Sequence, residues 1–328
     1  MGVSNSYNFA VTRDQIIATA MLNLGVLGEG ENPTAQEASD CAFSLNLLVK
    51  QWMGKQDFAP GLKMWSRQRG DLFLGNTKFQ YELGPSGDNW AAGVTGGSLG
   101  QTYNQTTLSA AEAIGQTVLS VVSTTNINNG DYIGIQCDLD LFWTTVVSTG
   151  VGTVTITDAL TTAAASGAYV FNYTTKQQRP LEIVTVLRRD IYNQDTPVRL
   201  LTVQDYENLP SKTDTTFQSD PQAVYYESQL DEGQLYLDVG GAQDVTKHLH
   251  IVFLRPIMDF DSATDAPEYP QQWYRALCWG LAKDVAPMFD AEWTPTMEQN
   301  YGMALAMAQE ADGETTTMYF QSGSRDDY

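Results

Sequence analysis

The chain has 328 residues, of which 42 % are hydrophobic and 11 % aromatic, enough to build a core and too many for wholesale disorder. Its formal net charge of −21, with no lysine or arginine between Lys78 and Lys176, argues against tight binding of nucleic acid. No apolar run reaches the ~18 residues of a membrane span. The first residues also lack the basic and apolar regions of a signal peptide.

The chain has three cysteines, which are too few and too widely spaced to suggest a disulfide framework. They are Cys41, Cys137 and Cys278, and none forms a CxxC motif. An odd count of separated cysteines is typical of free thiols in a reducing compartment. We therefore expect a protein made in a reducing cytosol.

The first eighty residues have helical periodicity. Thr12 with Gln15, and Thr34 with Glu37, have the spacing of capping boxes, in which each side chain satisfies a backbone donor of the other residue. Gly25 is a natural end for the first helix. Apolar residues recur at helical spacing behind each box: Ile16, Ala20 and Leu24, then Leu45, Leu48 and Trp52. The pattern predicts two amphipathic helices.

From about Phe79 the periodicity changes to that of β-strands. Residues 106–173 contain many short alternating runs, separated by Asn-Gly, Thr-Gly and Ser-Gly turns. This spacing predicts a small antiparallel sandwich or barrel. Further strand-like runs follow up to about residue 254.

Two more amphipathic helices are predicted near the end of the chain. Pro270 suits the first helical position, and Pro287 limits the helix that follows it. Thr294 and Pro295 begin the last helix. The apolar faces of the two helices contain Trp273, Leu277 and Leu281, then Tyr301 and Leu305.

Two helices begin the chain and two end it, and each pair needs a partner for its apolar face. We therefore expect an α+β fold: a helical bundle formed from both chain ends, with a β-rich excursion that carries a nested small antiparallel β-sandwich or barrel. The predicted boundaries are 1–78 and 262–311 for the helical core, 79–94 and 174–261 for the β-rich domain, 95–173 for the nested insertion and 312–328 for a C-terminal tail. The alternative treats the terminal helices as separate decorations on a β domain.

The sequence offers weak candidates for chemistry. His248 and His250 point to one face of a strand, but a zinc site needs a third or fourth ligand, so no metal and no cofactor are predicted. Asp138 and Asp140, with Asp131 upstream, have the residue type of a glycosidase pair. Acidic residues are so abundant that such pairs arise by chance. We predict a protein that is not an enzyme.

The last residues have a β-prone alternation. Thr315, Thr317 and Tyr319 alternate with Thr316, Met318 and Phe320. Such a strand has no evident partner in its own chain and suits addition to a sheet edge of another subunit or protein. A frayed terminus is the other reading of the same run.

The order of these segments resembles a known family, the head-to-tail adaptor proteins of short-tailed bacteriophages, also called tail accessory factors or packaged-DNA stabilisation proteins. The resemblance is carried by RDQIIATAMLNLGVLGEGENPTAQEASDCAFSLNLLVKQW, TPVRLLTVQDYENLPSK, GQLYLDV and FLRPIMDFDSATDAPEYPQQWYRALCWGLAKDVAPMF. It covers residues 12–60 and 176–311. The stretch 95–173 departs from the compact members and is expected to be an inserted domain.

The resemblance implies a structural virion protein in the neck region, made in the cytoplasm of a host bacterium. It implies a homododecameric ring, a connector that binds the portal protein above and a tail nozzle or tail tube protein below. The ring continues the DNA channel during packaging and ejection, with transient contact to double-stranded DNA and no membrane partner. In this family the carboxyl end commonly docks on the portal, a role that falls here on Met318, Tyr319 and Phe320.

We expect helix packing and ring contacts to involve one set of residues from the four helices. The set is Ile16, Ala20, Leu24, Leu45, Leu48, Trp52, Trp273, Leu277, Leu281, Tyr301 and Leu305. Two alternative functions remain. One is a receptor- or glycan-binding β module on a helical mount, and the other is a cell-wall hydrolase that uses Asp138 and Asp140.

Overall fold

The structure is a computed structural model that describes Ser6 and residues 8–28, 30–54 and 64–312. The chain divides into two compact units. The helical unit comprises Met1–Ser66 and Ile257–Tyr328, and the β unit comprises Arg67–Pro256. Each unit is described below by itself.

Five α-helices occur in the described residues. They are α1 (Arg13–Leu24), α2 (Ala35–Met53), α3 (Val203–Glu207), α4 (Tyr274–Val285) and α5 (Pro295–Ala311). Only α3 belongs to the β unit. Short 3-10 turns flank α4 on both sides, at Gln271–Trp273 and Ala286–Phe289.

The helix starts follow the predicted local chemistry. The Thr12 hydroxyl accepts from the Gln15 backbone N–H at 3.3 Å, and the Gln15 side chain accepts from the Thr12 N–H at 2.9 Å. Thr34 and Glu37 make the same reciprocal pair at the start of α2. Gly25 ends α1 with a left-handed φ of 72°. Both predicted capping boxes are therefore confirmed.

The core of the helical unit surrounds α4. This helix packs against α1, α2 and α5, and it buries Leu277 and Leu281 completely. Gly280 lies where α4 meets α2, because a Cβ there would be only 3.0 Å from side-chain atoms of Leu48 and Trp52. The close approach of these two helices depends on that missing side chain.

The described residues contain seventeen strands in three sheets. In chain order they are β1 (Arg67–Phe73), β2 (Gln80–Leu83), β3 (Trp90–Gly93), β4 (Asn104–Thr107), β5 (Val118–Ser120), β6 (Tyr132–Cys137), β7 (Asp140–Gly150), β8 (Thr153–Ile156), β9 (Tyr169–Tyr173), β10 (Thr175–Lys176), β11 (Glu182–Arg189), β12 (Asp195–Leu201), β13 (Gln218–Ser219), β14 (Ala223–Ser228), β15 (Gly233–Leu237), β16 (Gly241–Ala242) and β17 (His248–Leu254).

The largest sheet has nine strands in the order β10-β3-β1-β17-β11-β12-β14-β15-β2. Its centre is β17, which pairs antiparallel with β1 on one side and β11 on the other. One face of this sheet holds an apolar core that includes Leu72, Leu249, Ile251 and Phe253. Strands far apart in the chain therefore form the middle of the sheet.

The second sheet has six strands in the order β4-β9-β6-β7-β8-β5, all antiparallel. It has its own apolar core, which includes Ile133, Ile135 and Val170. A separate aromatic cluster, with Phe73 from β1 and Phe171 from β9, joins it to the nine-stranded sheet. A two-stranded sheet of β13 and β16 completes the β unit.

The predicted fold class, an α+β protein based on a helical bundle from both chain ends, is wrong. The chain is mostly β, with seventeen strands in three sheets and five short helices over the described residues. Three of the four hydrophobic clusters lie among the strands. The helices α1, α2 and α5 pack around α4 in the helical unit and form the smaller part of the described fold.

Gly280→Leu and Gly302→Leu form a matched pair that tests the contact between α2 and α4. Leucine at position 280 would clash with Leu48 and Trp52, whereas position 302 in α5 has open space around it. We expect Gly280→Leu to lower the free energy of unfolding of the helical unit by about 1–3 kcal/mol. Gly302→Leu should raise it by up to about 1 kcal/mol through helix propensity.

Urea denaturation followed by circular dichroism measures both effects. An equal response to the two substitutions would show that α4 does not approach α2 closely.

Candidate functional site

The most polar buried part of the β unit lies on β1 and β17. These strands pair so that Asp71 is opposite His250 and Phe73 is opposite His248. Because alternate residues of a strand point to the same side, Asp71 and both imidazoles lie on one face of the nine-stranded sheet. Asp71 and His248 are fully buried, and His250 is 7 % exposed. The fold thus brings a carboxylate and two imidazoles together away from water.

Asp71 has three neighbours on this face. His250 Nδ1 lies 2.8 Å from Asp71 Oδ1, and the Thr102 hydroxyl donates to Asp71 Oδ2. His248 Nε2 is 3.3 Å from Asp71 Oδ1, within ion-pair distance but without hydrogen-bond geometry. Both ring nitrogens of His248 are buried, and neither has a hydrogen-bond partner among the described residues. An unsatisfied buried polar group costs about 1–3 kcal/mol.

Arg189, at the end of β11, connects this cluster to the neighbouring turn. Its Nε and Nη2 donate to the two carboxylate oxygens of Asp195 at 2.7 and 2.9 Å. Its Nη1 lies 3.2 Å from His250 Nδ1. His250 Nδ1 therefore lies between Arg189 and Asp71. When this nitrogen carries a proton it donates to Asp71, and when it carries none it accepts from Arg189.

The carboxylates of the cluster favour the ionised form. Burial acts to raise the pKa of Asp71, but the two imidazoles beside the carboxylate outweigh burial and hold the pKa below its ordinary value. The hydrogen bond from Arg189 lowers the pKa of Asp195, and the same bond raises the pKa of Arg189. At neutral pH the cluster thus contains two ionised carboxylates, Asp71 and Asp195, and the guanidinium of Arg189.

A cleft of about 400 Å³ opens beside the cluster. Residues 100–105, Arg189, Asn193 and His250 line it. Tyr103 lines the cleft, and its ring is held in place by edge contacts with the rings of Phe73 and His248 at centroid distances of 5.4 and 4.9 Å. Burial raises the pKa of the Tyr103 hydroxyl, so that this side chain stays uncharged.

The structure places the two histidines together, and sequence reasoning missed their partners Asp71 and Arg189. A signal was present, since Asp71 directly precedes the apolar run LFL in a strand-like stretch, where an unpaired buried carboxylate is costly. In the described part of the chain, no group of three or more His, Cys, Asp or Glu side chains is arranged to hold a metal ion.

Of the three acidic residues singled out from the sequence, Asp131 and Asp140 have hydrogen-bond partners in the β unit. Asp131 is buried, and its carboxylate accepts hydrogen bonds from Asn172 Nδ2 and Thr174 Oγ1 at 2.9 and 2.8 Å. Asp138 lies between β6 and β7 with a positive φ of 53°. Asp140 Oδ1 accepts from the Leu141 backbone N–H at 2.9 Å. Asp131 precedes β6, Asp138 lies in the turn between β6 and β7, and Asp140 is the first residue of β7. This geometry gives no support to a hydrolytic pair.

The residues expected for helix packing and ring contacts belong to the core of the helical unit. The buried members are Ile16, Ala20, Leu24, Leu45, Leu48, Trp52, Trp273, Leu277 and Leu281. Tyr301 and Leu305 pack against this core and are partly buried. The buried members contact their own chain, so contacts between copies require other side chains.

Among the exposed apolar side chains of this unit, four lie on α2 and α5. Phe43 and Leu47 on α2 are 68 % and 55 % exposed, and Met303 and Met307 on α5 are 47 % and 66 % exposed. Within each pair the residues are four apart and share a helix face. We call these four residues the apolar helix surface. Sequence reasoning missed them because they lie outside the apolar stripes that form the core.

Met318, Tyr319 and Phe320, expected to bind a portal, lie outside the described residues. Over the described part of the chain, no helix is both long and apolar enough to span a lipid bilayer. No known protein family matches the chain, and no curated protein matches it.

Asp71→Asn tests the buried cluster. The substitution removes the charge that the imidazoles and Thr102 surround, and we expect a loss of about 3 kcal/mol in the free energy of unfolding near pH 7. The pKa of Asp71 is lowered in the folded state. Its contribution is therefore complete above the unfolded pKa of about 3.9 and is lost as the pH falls through the folded pKa.

The difference between the two proteins should thus be largest above about pH 5 and shrink as the pH falls below about 4. Urea unfolding curves at several pH values measure it. Repeating them in about 0.5 M salt is the control, because a buried pair is weakly screened. A difference that stays constant with pH would contradict an ionised Asp71.

Proposed function

We propose that this chain is a structural virion protein, a head-to-tail adaptor. In this proposal, copies form a ring below the portal that continues the DNA channel and joins the capsid vertex to the tail. The proposal starts from the resemblance of residues 12–60 and 176–311 to the adaptors of short-tailed bacteriophages. Its partners are the portal protein, a tail nozzle or tail tube protein, and further copies of the chain, twelve in a complete ring.

The observation that carries the proposal is the apolar helix surface. Phe43 and Leu47 lie on α2, and Met303 and Met307 lie on α5, so the helical unit presents two separate apolar patches. Exposed apolar patches are typical of protein interfaces. Two different patches on one subunit suit a head-to-tail contact, in which the patch of one copy meets the other patch of the next and the rotation closes a ring.

The charge of the chain supports the proposed channel. Phosphate is repelled by an acidic surface, and in this chain 39 aspartates and glutamates outnumber 18 lysines and arginines to give a net charge of −21. Double-stranded DNA then passes with transient contact instead of tight binding. A catalytic group has no part in this function.

Phe43→Glu with Leu47→Glu tests the ring contact. Two carboxylates in an apolar interface should abolish ring formation, because each costs several kcal/mol when desolvated. The stability of the single subunit should change by less than about 0.5 kcal/mol per substitution, since both positions are exposed. Electron microscopy of the protein mixed with purified portal counts the rings.

The control is Gln116→Glu with Gln229→Glu, which adds the same charge at exposed positions of the β unit and not on this helix. Rings should form with this control. If the Phe43 and Leu47 variant also forms rings, α2 does not make the contact between copies.

Removal of residues 313–328 tests the portal-binding segment. We expect the truncated chain to keep its helical content, because α5 ends at Ala311 within the described residues. Binding to the portal should be lost, and alanine at Met318, Tyr319 and Phe320 should weaken binding by at least tenfold. Surface plasmon resonance on immobilised portal measures both.

Removal of residues 321–328 alone serves as the control and should leave binding intact. Unchanged binding after removal of 313–328 would refute the role of this segment, while leaving the ring contact on α2 and α5 to be judged separately.

A further inference from the structure

The cleft beside the buried cluster has no part in the adaptor function, which rests on the helical unit. It belongs to the β unit and lies between residues 100–105, which lead into β4, and the turn that joins β11 to β12. Its volume of about 400 Å³ falls within the ~300–1,000 Å³ that is usual for ligand pockets. The ligand that suits the cleft depends on which of its lining side chains are not already hydrogen-bonded within the chain.

Several lining side chains are engaged by the protein itself. The Thr102 hydroxyl donates to Asp71. Gln101 Nε2 donates to the Tyr103 carbonyl at 2.8 Å, and its Oε1 accepts from the Ser98 N–H at 3.0 Å. Asn104 Nδ2 donates to the Thr125 carbonyl at 3.1 Å. These residues shape the cleft and are not its free hydrogen-bonding groups.

Four other lining residues keep polar groups for a ligand. Gln105 and Asn193 line the cleft, and the hydrogen bonds within the described residues do not engage their side-chain amides. Arg189 uses Nε, Nη1 and Nη2 on Asp195 and His250, which leaves a second N–H on each terminal nitrogen. His250 Nδ1 faces Asp71 and Arg189, so that Nε2 is its remaining polar atom.

The charge that lines the cleft is already paired. Arg189 lines the cleft, and its guanidinium donates to both carboxylate oxygens of Asp195 at 2.7 and 2.9 Å. The described lining residues therefore offer no unpaired guanidinium or carboxylate to an ionic ligand. The free groups are both donors and acceptors, the pattern that suits hydroxyl groups, each of which donates one hydrogen bond and accepts two.

We propose that this cleft binds a neutral saccharide unit. Its hydroxyl groups exchange hydrogen bonds with the amides of Gln105 and Asn193 and with His250 Nε2, and they accept from the remaining N–H groups of Arg189. Because a few hydrogen bonds hold the ligand in a half-open cleft, the dissociation constant is on the order of 1 mM, which corresponds to about −4 kcal/mol.

The test is binding of the full chain to a panel of neutral and acidic oligosaccharides, followed by an NMR titration with the neutral sugar that binds. Asn193→Gly removes one amide and keeps the left-handed φ of 60° available. Gln105→Ala removes the other. We expect each substitution to weaken binding of the neutral sugar by about 3- to 10-fold.

Two controls match these variants. Asn126 also has a left-handed φ, 59°, and lies outside the cleft lining, so Asn126→Gly should not change binding. Gln116→Ala removes an exposed glutamine elsewhere in the β unit and should not change it either. The proposal is overturned if no neutral sugar binds at about 10 mM, if only acidic sugars bind, or if all four variants bind alike.

Discussion

An ionised carboxylate that is fully buried must keep its partners within hydrogen-bond distance, and Asp71 imposes this condition on several separate stretches of the β unit. His250 comes from β17, Thr102 from the segment before β4, and Arg189 from β11 through its contact with His250. The side-chain period of a strand is two residues, so a slip of one residue between β1 and β17 would move Asp71 to the apolar face. The cluster therefore specifies the register at the centre of the nine-stranded sheet.

The hydrogen bond between Thr102 and Asp71 also positions the segment that leads into the six-stranded sheet. Tyr103 follows Thr102 directly, and its ring packs against Phe73 and Phe171. Gly134 on β6 allows the Trp143 ring to lie over the backbone, since a Cβ there would be 2.6 Å from the indole. The aromatic cluster that joins the sheets thus continues the polar cluster across the same face of β1. The cleft is lined by residues 100–105, which include Thr102 and Tyr103 of this connection.

Local features were predictable from the sequence, and long-range pairing was not. The capping boxes at Thr12 and Thr34 depend on residues three apart, so the sequence pattern determined them. The contact between Asp71 and His250 joins residues 179 positions apart, which periodicity cannot specify. The strand pattern placed His248 and His250 on one face, but it did not indicate that this face is buried. The helical bundle was wrong because amphipathic helices were given more weight than strands, although the strands hold most of the hydrophobic clusters.

The two ends of the β unit lie next to each other, as expected for a unit inserted within the helical part of the chain. Arg67 at the start of β1 pairs with Leu254 near the end of β17, so the β unit enters and exits at neighbouring points. An insertion with adjacent ends adds little loop-closure entropy to the part that receives it. Each unit also has its own apolar core. The apolar helix surface and the polar cleft therefore depend on different cores, and a change that abolishes one leaves the physical basis of the other in place.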